Sequence, residues 1–141
     1  MKVQPIIDRL KSVSTTLGGR IAGAAEFSAE VEAARLAVPC AFVLRASGEA
    51  SEASTLGEVV QMFTEDFAVV IAVDNSVDTR GQAAAEALDD VLYDVIGSLL
   101  GWEADAVHNA FVMVRDDHVA IDRARLWHQA IFRTQSAIAS L

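Results

Sequence analysis

Histidines, carboxylates and one cysteine are the side chains of this sequence that could do chemistry. The histidines are His108, His118 and His128, and the single cysteine is Cys40. No two histidines are spaced to share one face of a helix, and none lies at zinc-ligand spacing from the cysteine. The run Asp116-Asp117-His118 offers oxygen and nitrogen ligands, but Asp is common in turns. The sequence therefore predicts a solvated hairpin turn there rather than a metal site.

The patterns needed for nucleophilic, acid–base or phosphate chemistry are also missing. No serine stands in a Gly-x-Ser-x-Gly turn, and no basic residue adjoins Cys40. Gly18-Gly19 follows a helical pattern, whereas a phosphate-binding loop follows a strand. Asp89, Asp90 and Asp94 fall on the polar face of an amphipathic helix, which is typical of a solvated surface. We therefore expect no catalytic residues, no metal and no cofactor.

Composition indicates one folded domain over residues 1–141 with an acidic surface. Hydrophobic residues make up 52% of the chain, and the formal net charge is −9. Such a surface repels phosphate, which argues against nucleic-acid binding as the function. No apolar run reaches the roughly 18 residues of a membrane span, and the N-terminus lacks a signal-peptide pattern. A single cysteine excludes an intramolecular disulfide, so we expect assembly in a cytosol.

Hydrophobic periodicity predicts the elements that would position these residues. Helices are predicted at 3–17, 24–36 and 79–100. Strands are predicted at 20–22, 40–44, 58–74, 110–114, 119–121 and 124–138, with a possible break near Glu65-Asp66. Strands adjacent in sequence favour hairpins. The predicted fold class is therefore α+β, a mainly antiparallel sheet with helices packed against it, in a single domain.

The segment from Arg45 to Gly57 is rich in small and polar residues, and it predicts a solvated loop. It holds Glu49 and Glu52, and Glu58 lies just beyond it. Because this segment has little apolar surface to bury, we expect it to become ordered against a partner. The three glutamates are therefore candidate interface residues.

The closing strand carries the most notable basic and aromatic cluster. Two-residue alternation places Arg125, Trp127 and Arg133 on one face, and Arg and Trp are favoured at interface hot spots. These residues are thus candidates for a subunit interface, with an acidic patch of a second copy as the partner. A half-exposed sheet face balanced by acids elsewhere explains the pattern equally well. The residues of opposite parity expected in the core are Leu126, Phe132 and Ile138.

Short motifs follow one another along nearly the whole chain. They are Met-Lys-Val-Gln-Pro-Ile-Ile-Asp-Arg-Leu-Lys at the start, Pro39-Cys40-Ala41-Phe42-Val43-Leu44, the strand from Phe63 to Val73, Asp78-Thr79-Arg80-Gly81, Leu100-Gly101-Trp102, Leu126-Trp127-His128-Gln129 and Phe132-Arg133-Thr134. In this order they resemble the tail terminator proteins of tailed bacteriophages and prophages, in the branch near Mu-like phages. His128 departs from the pattern, because the family often has a second aromatic residue there.

The resemblance implies a non-enzymatic virion protein that forms a hexameric ring. The ring would cap the head-proximal end of the tail tube, stop tube polymerisation and offer the surface that joins the head. Its partners would be further copies, the tube protein and a head-completion or connector protein, and DNA would pass through without specific binding. The protein would lie in the neck of the virion tail after assembly in the bacterial host cytoplasm. No catalytic position of the family is carried over.

Two other readings remain open at this point. A small α/β domain of this kind can also be a dimeric ligand-binding or enzymatic domain, with a closed pocket between sheet and helices. Another connector ring or tube protein of the same virion would share the predicted fold class.

Overall fold

The computed structural model describes residues 1–26, 37–55, 57–75, 82–122 and 125–141. In these ranges the protein forms a five-stranded sheet with helices on one face. The elements are α1 (Gln4–Val13), β1 (Ile21–Ala22), β2 (Cys40–Ala50), β3 (Val60–Asp74), α2 (Gln82–Leu99), β4 (Val112–Asp122) and β5 (Arg125–Ala139). The strand order is β1-β2-β3-β5-β4, with β1 parallel to β2 and the other neighbours antiparallel. The predicted α+β class is confirmed.

Two sequence-based predictions fall on the undescribed ranges. The predicted helix at 24–36 lies mostly outside the described residues, and so does the start of the predicted helix at 79–100. Neither α1 nor α2 combines the length and hydrophobicity that a membrane span requires.

The centre of the sheet is β3, whose 15 residues pair with β5 along their full length without a register shift. Side chains therefore alternate regularly between the two faces along both strands. The odd-numbered residues from Phe67 to Val73 are buried and face the helices, as the alternation predicts. The break near Glu65-Asp66 does not occur.

The main core lies between this face of the sheet and the two helices. A proline in the first turn of α1 begins the helix without losing an internal hydrogen bond. The buried residues that the helices contribute are Ile6, Ile7, Leu10, Ala84, Leu88, Val91, Leu92, Val95 and Leu99. A glycine at positive φ, Gly101, follows the end of α2, as the sequence predicts.

The opposite face of the sheet carries a second, smaller apolar cluster. Its buried members are Cys40, Phe42, Ala68, Val70, Ala72, Trp127 and Ile131. Both faces of the central strands are thus apolar, which explains why the run from Phe67 to Val73 is almost continuously hydrophobic. The buried thiol of Cys40 agrees with the expectation of an inert cysteine.

The predicted loop from Arg45 to Gly57 is wrong over residues 45–50, whereas residues 51–55 lie outside the strands as predicted. Residues 45–50 continue β2 and pair with β3 as far as Ala50↔Phe63. Together with residues 60–64 of β3 and 135–139 of β5, residues 46–50 form a three-stranded part of the sheet that we call the hairpin extension. Most of its residues are exposed. The composition resembles that of a loop because neither face of this part of β2 is buried, although every residue of it except Ala46 pairs with β3.

The predicted hairpin turn at Asp116-Asp117 is also wrong. Both residues lie inside β4, opposite Ala130 and Gln129 of β5. Two register shifts interrupt the ladder, one between Met113 and Arg115 and one between His118 and Ala120. β4 is polar in its middle because it is an edge strand that faces solvent, where charges and bulges are common.

Asp94 of α2 binds the turn that ends α1, so it is not simply part of a solvated face. Its Oδ2 accepts hydrogen bonds from the hydroxyls of Ser14 and Thr16, both at 2.6 Å, and from the amides of Thr15 and Thr16 at 3.1 and 3.0 Å. These bonds draw residues 14–16 away from helical geometry, and α1 ends at Val13 rather than at residue 17. Burial raises the pKa of Asp94, but the hydrogen bonds outweigh it and hold this pKa below its usual value of 3.8.

We expect Asp94→Asn to lower the free energy of unfolding by about 1–3 kcal/mol at pH 7, because it removes the charge that strengthens these hydrogen bonds. Since the pKa of Asp94 is depressed by folding, the stabilisation is present above pH 3.8 and is lost as the pH falls through the folded-state pKa. Urea unfolding at several pH values measures the difference. The exposed Asp89→Asn on the same helix is the control, and an equal loss in both variants would contradict the prediction.

Candidate subunit interface

The candidate residues of β5 lie on the face of the sheet that points away from α1 and α2. Leu126 and Phe132 pack with the main core, whereas Trp127 packs in the second cluster. Arg125 and Arg133 have the same parity as Trp127, and the unshifted β3–β5 register preserves that parity. The structure therefore brings Arg125, Trp127 and Arg133 to one face, as the alternation predicts.

Trp127 is largely buried within the chain, with 9% of its surface exposed. It pairs with Ala72 across the sheet and packs among the residues of the second cluster. Its aromatic ring thus contributes first to the subunit's own packing. Of the three candidate interface residues on β5, Arg125 and Arg133 are therefore the more exposed.

Arg133 forms an ion pair with its cross-strand neighbour Asp66. Its Nε and Nη2 donate to the two carboxylate oxygens of Asp66 at 2.8 and 3.1 Å. These hydrogen bonds raise the pKa of Arg133, and Glu49 adds a smaller electrostatic contribution. The guanidinium remains partly exposed, so it can contact a second carboxylate beyond the subunit.

The three candidate glutamates lie in or beside the hairpin extension. Glu49 lies in β2 opposite Thr64, on the same face as Arg133. Glu52 follows β2 and Glu58 precedes β3, and the side chains of all three glutamates are exposed. The structure thus brings Glu49 near Arg133, and it leaves Glu52 and Glu58 at the end of the extension.

The end of the extension is also apolar, which corrects one prediction. Ile138 was expected in the core but is 40% exposed, because α1 and α2 do not reach this part of the sheet. Val59 and Met62 are similarly exposed, and the amide of Ser140 donates to the carbonyl of Val59 at 2.9 Å. A mixed acidic and apolar surface of this kind suits contact with another protein.

A buried carboxylate, Glu65, lies on the helix-side face at the base of the extension, and sequence reasoning missed its role. Only 1% of its surface is exposed. The Met1 ammonium donates to its two oxygens at 2.9 and 2.8 Å, Arg45 Nε donates to Oε2 at 3.2 Å, and His108 Nε2 lies 3.7 Å from Oε1. Burial raises the pKa of Glu65, but the hydrogen bonds from Met1 and Arg45 hold it below its ordinary value.

Asp105 fixes the histidine beside this cluster. Its carboxylate accepts hydrogen bonds from the amides of Val107 and His108 and contacts His108 Nδ1 at 2.9 Å. The His108 amide, followed by the His108 ring, lowers the pKa of Asp105 to about 2.

One sequence signal could have found Glu65, because it shares the odd parity of the apolar face of β3.

The described residues hold arrangements suited to ion pairing and show none suited to metal binding. No group of three or more His, Cys, Asp or Glu side chains in these ranges could bind a metal ion. Two open clefts of about 290 and 330 Å³ lie on the surface. The first is lined by Arg133 and Thr134 beside Asn109, and the second by Asp74 and Asp90 beside Pro39. Neither is an enclosed apolar pocket of the kind that small-molecule sites favour.

Comparisons with known proteins agree with this fold. A family model described as "Phage tail terminator protein" matches residues 1–140. Among solved structures, a chain of the "Virion of native gene transfer agent (GTA) particle" has a TM-score of 0.57 and 15% identity. The match covers 94% of this chain and 92% of that chain, and at this identity it shows a shared fold. The comparison with curated proteins found no match.

We expect Glu65→Gln to lower the free energy of unfolding by about 3 kcal/mol at pH 7, because it leaves the Met1 ammonium and Arg45 without their buried carboxylate. Chemical unfolding followed by circular dichroism measures the change. Glu58→Gln removes the same charge from an exposed position, so it should change stability by less than about 0.5 kcal/mol. Equal effects of the two substitutions would show that the Glu65 cluster does not stabilise the fold.

Proposed function

Because the chain belongs to the phage tail terminator family, we propose that this structural tail protein forms a ring at the head-proximal end of the tail tube. There it ends tube polymerisation and presents the surface to which the head is joined. The match of the family model to residues 1–140 carries the proposal. The role is that of a structural part of the virion rather than of an enzyme.

The exposed surfaces of the subunit support a ring of identical copies. A contact between two different surfaces of one subunit is heterologous, and such contacts close into a ring when the rotation between copies allows. Arg125 and Arg133 on the sheet face, and the carboxylates Glu52 and Glu58 at the end of the extension, supply opposite charges on two separate surfaces for such a contact. We infer six copies from the likeness to the family.

The net charge supports a ring through which DNA moves. Each copy carries a formal net charge of −9, so a ring of copies repels phosphate on average. DNA then passes through the ring without specific binding. The neck of the virion, between head and tail tube, is the proposed location, after assembly in the cytoplasm of the bacterial host.

The hairpin extension is the proposed contact with other virion proteins. It projects beyond the helices and exposes both acidic and apolar side chains. The tail tube protein and a head-completion or connector protein are the partners for this surface and for the opposite side of the ring.

Tails assembled without this protein should be longer than normal and should fail to join heads, because nothing ends tube polymerisation. Negative-stain electron microscopy of tails made with and without the chain measures both effects. Tails of normal length that still join heads in its absence would contradict the proposed function. Symmetry-averaged density of the neck tests the number of copies, and any order other than six would overturn that number.

We expect Arg133→Ala to weaken ring formation by about 2 kcal/mol, the usual cost of truncating an important interface residue, while the subunit stays folded. Asp66→Ala is the matched control, because it breaks the same internal ion pair but keeps the guanidinium. Sedimentation velocity measures assembly, and circular dichroism measures folding. If both variants assemble equally well, Arg133 serves only its own subunit.

A further inference from the structure

The strand β4 forms one edge of the sheet and exposes apolar side chains on both sides of its polar middle. It pairs with β5 on one side, and among the described residues no strand pairs with its other side. Its exposed branched residues include Val112 at 50% and Ile121 at 64%. A long edge strand with such residues is a template for pairing with another chain.

The opposite edge of the sheet is open over part of β2. The short strand β1 pairs only with Ala41 and Phe42 of β2. From Val43 to Ala50, β2 pairs with β3, and within the described ranges no strand lies on its outer side. In the part of the chain that the structure describes, the sheet therefore has two open edges, one at each side.

The directions of the two edge strands fit each other. The steps from β2 to β3, from β3 to β5 and from β5 to β4 are all antiparallel, so β4 runs opposite to β2. When copies are repeated around a ring with their strands running roughly parallel to the ring axis, every copy keeps the same strand directions. β4 of one copy then meets β2 of the next copy in antiparallel orientation, which is the more stable kind of pairing.

We propose that β4 of one subunit adds to the outer edge of β2 of the next subunit, so that the sheet continues across the subunit boundary. This inference rests on the proposed ring and names the contact that builds it. The partner is a second copy of this chain, and the contact is made by backbone hydrogen bonds.

Charge selects the register of this contact. Within one subunit, Ser47 of β2 and Val112 of β4 lie in the same row across the sheet. Ser47 pairs with Asp66 of β3, and Val112 pairs with Arg133 of β5, which itself pairs with Asp66. Continuing the sheet at that level would place Arg115 beside Leu44 and Asp116 beside the buried Val43. Neither pairing satisfies a charge.

Shifting the strands by two residues gives a complementary contact. Glu49 then lies opposite Val112 and diagonal to Arg115, while Arg45 lies opposite Asp116. The side chains of Arg45, Arg115 and Asp116 already pair within the subunit, with Glu65, Asp117 and His128 respectively. Each is also about half exposed, so it can contact a second charge across the junction. Opposite charges at such positions stabilise paired strands, and a shift of this kind is required when a sheet closes on itself.

The bulges of β4 make this contact selective. They interrupt the regular ladder of hydrogen bonds after Met113 and after His118, so an arbitrary strand cannot pair with the whole edge. The stretch from Val112 to Asp116, which meets β2 in the charge-matched register, contains the first of these bulges, and the facing stretch of β2 has its own register shift between Arg45 and Ser47.

Disulfide trapping tests the contact in the full chain. Opposite residues of paired strands lie close enough for a disulfide, so we expect Glu49→Cys/Val112→Cys to give a ladder of covalent multimers after mild oxidation. The native Cys40 is buried and leaves the single variants Glu49→Cys and Val112→Cys monomeric on the same gel. The double variant Ser47→Cys/Val112→Cys is the register control and should cross-link much less.

Three outcomes would overturn the inference. A covalent dimer of Val112→Cys alone would show that two β4 edges meet each other. Stronger cross-linking of the Ser47 pair than of the Glu49 pair would show that the charge-matched register is wrong. If electron microscopy shows rings on tail tubes but oxidation of the Glu49→Cys/Val112→Cys variant gives no covalent multimers, edge pairing is excluded while the proposed function stays intact. Multimers together with normal tails in the absence of the protein would instead leave edge pairing intact and contradict the function.

A charge exchange provides an independent measurement. Arg115→Glu should reduce the assembled fraction about tenfold, and adding Glu49→Lys should restore most of it, because the diagonal pair is rebuilt with reversed charges. Tyr93→Lys on the exposed face of α2 is the control and should leave assembly unchanged. Failure of Glu49→Lys to restore assembly would overturn the proposed register.

Discussion

The unshifted pairing of β3 with β5 is the constraint on which the rest of the molecule depends. Fifteen consecutive residue pairs keep one parity, so every side chain on these strands is committed to one of two faces. One face buries Phe67 and Phe132 beneath the helices, and the other buries Val70 and Ile131 in the second cluster. A slip of one residue would exchange these sets, so the large side chains of the main core would face away from the helices.

Two carboxylates, the buried Glu65 and the half-buried Asp94, connect the N-terminal part of the chain to this frame. Asp94 holds the turn after α1, and Glu65 holds the Met1 ammonium before it, so α1 is fixed at both ends. Gly48 makes the second site possible. It lies opposite Glu65, and a Cβ there would clash with the Arg45 guanidinium and come within 2.8 Å of the Phe63 ring.

Sequence patterns predicted those features that depend on local periodicity. The alternation of β3 and β5, the apolar stripe of α2 and the common face of Arg125, Trp127 and Arg133 all follow from spacing alone. The strand character of residues 45–50 and of Asp116-Asp117 could not be predicted in this way, because their polar composition reflects exposure while their conformation comes from paired neighbours. The buried ion pair of Glu65 could not be predicted for a similar reason, since its partner Met1 is 64 residues away in the chain.

The helices cover only part of the sheet, so we expect the covered and uncovered parts to differ in their rates of amide hydrogen exchange. Beneath the helices, backbone amides of β3 and β5 are shielded from both sides, so their exchange requires global unfolding. In the hairpin extension, the same two strands lack that cover and can open locally while the core stays intact. A single strand therefore joins a rigid half to a half that adapts at low free-energy cost. Such a subunit can adjust its projecting end to a neighbouring protein without weakening its own fold.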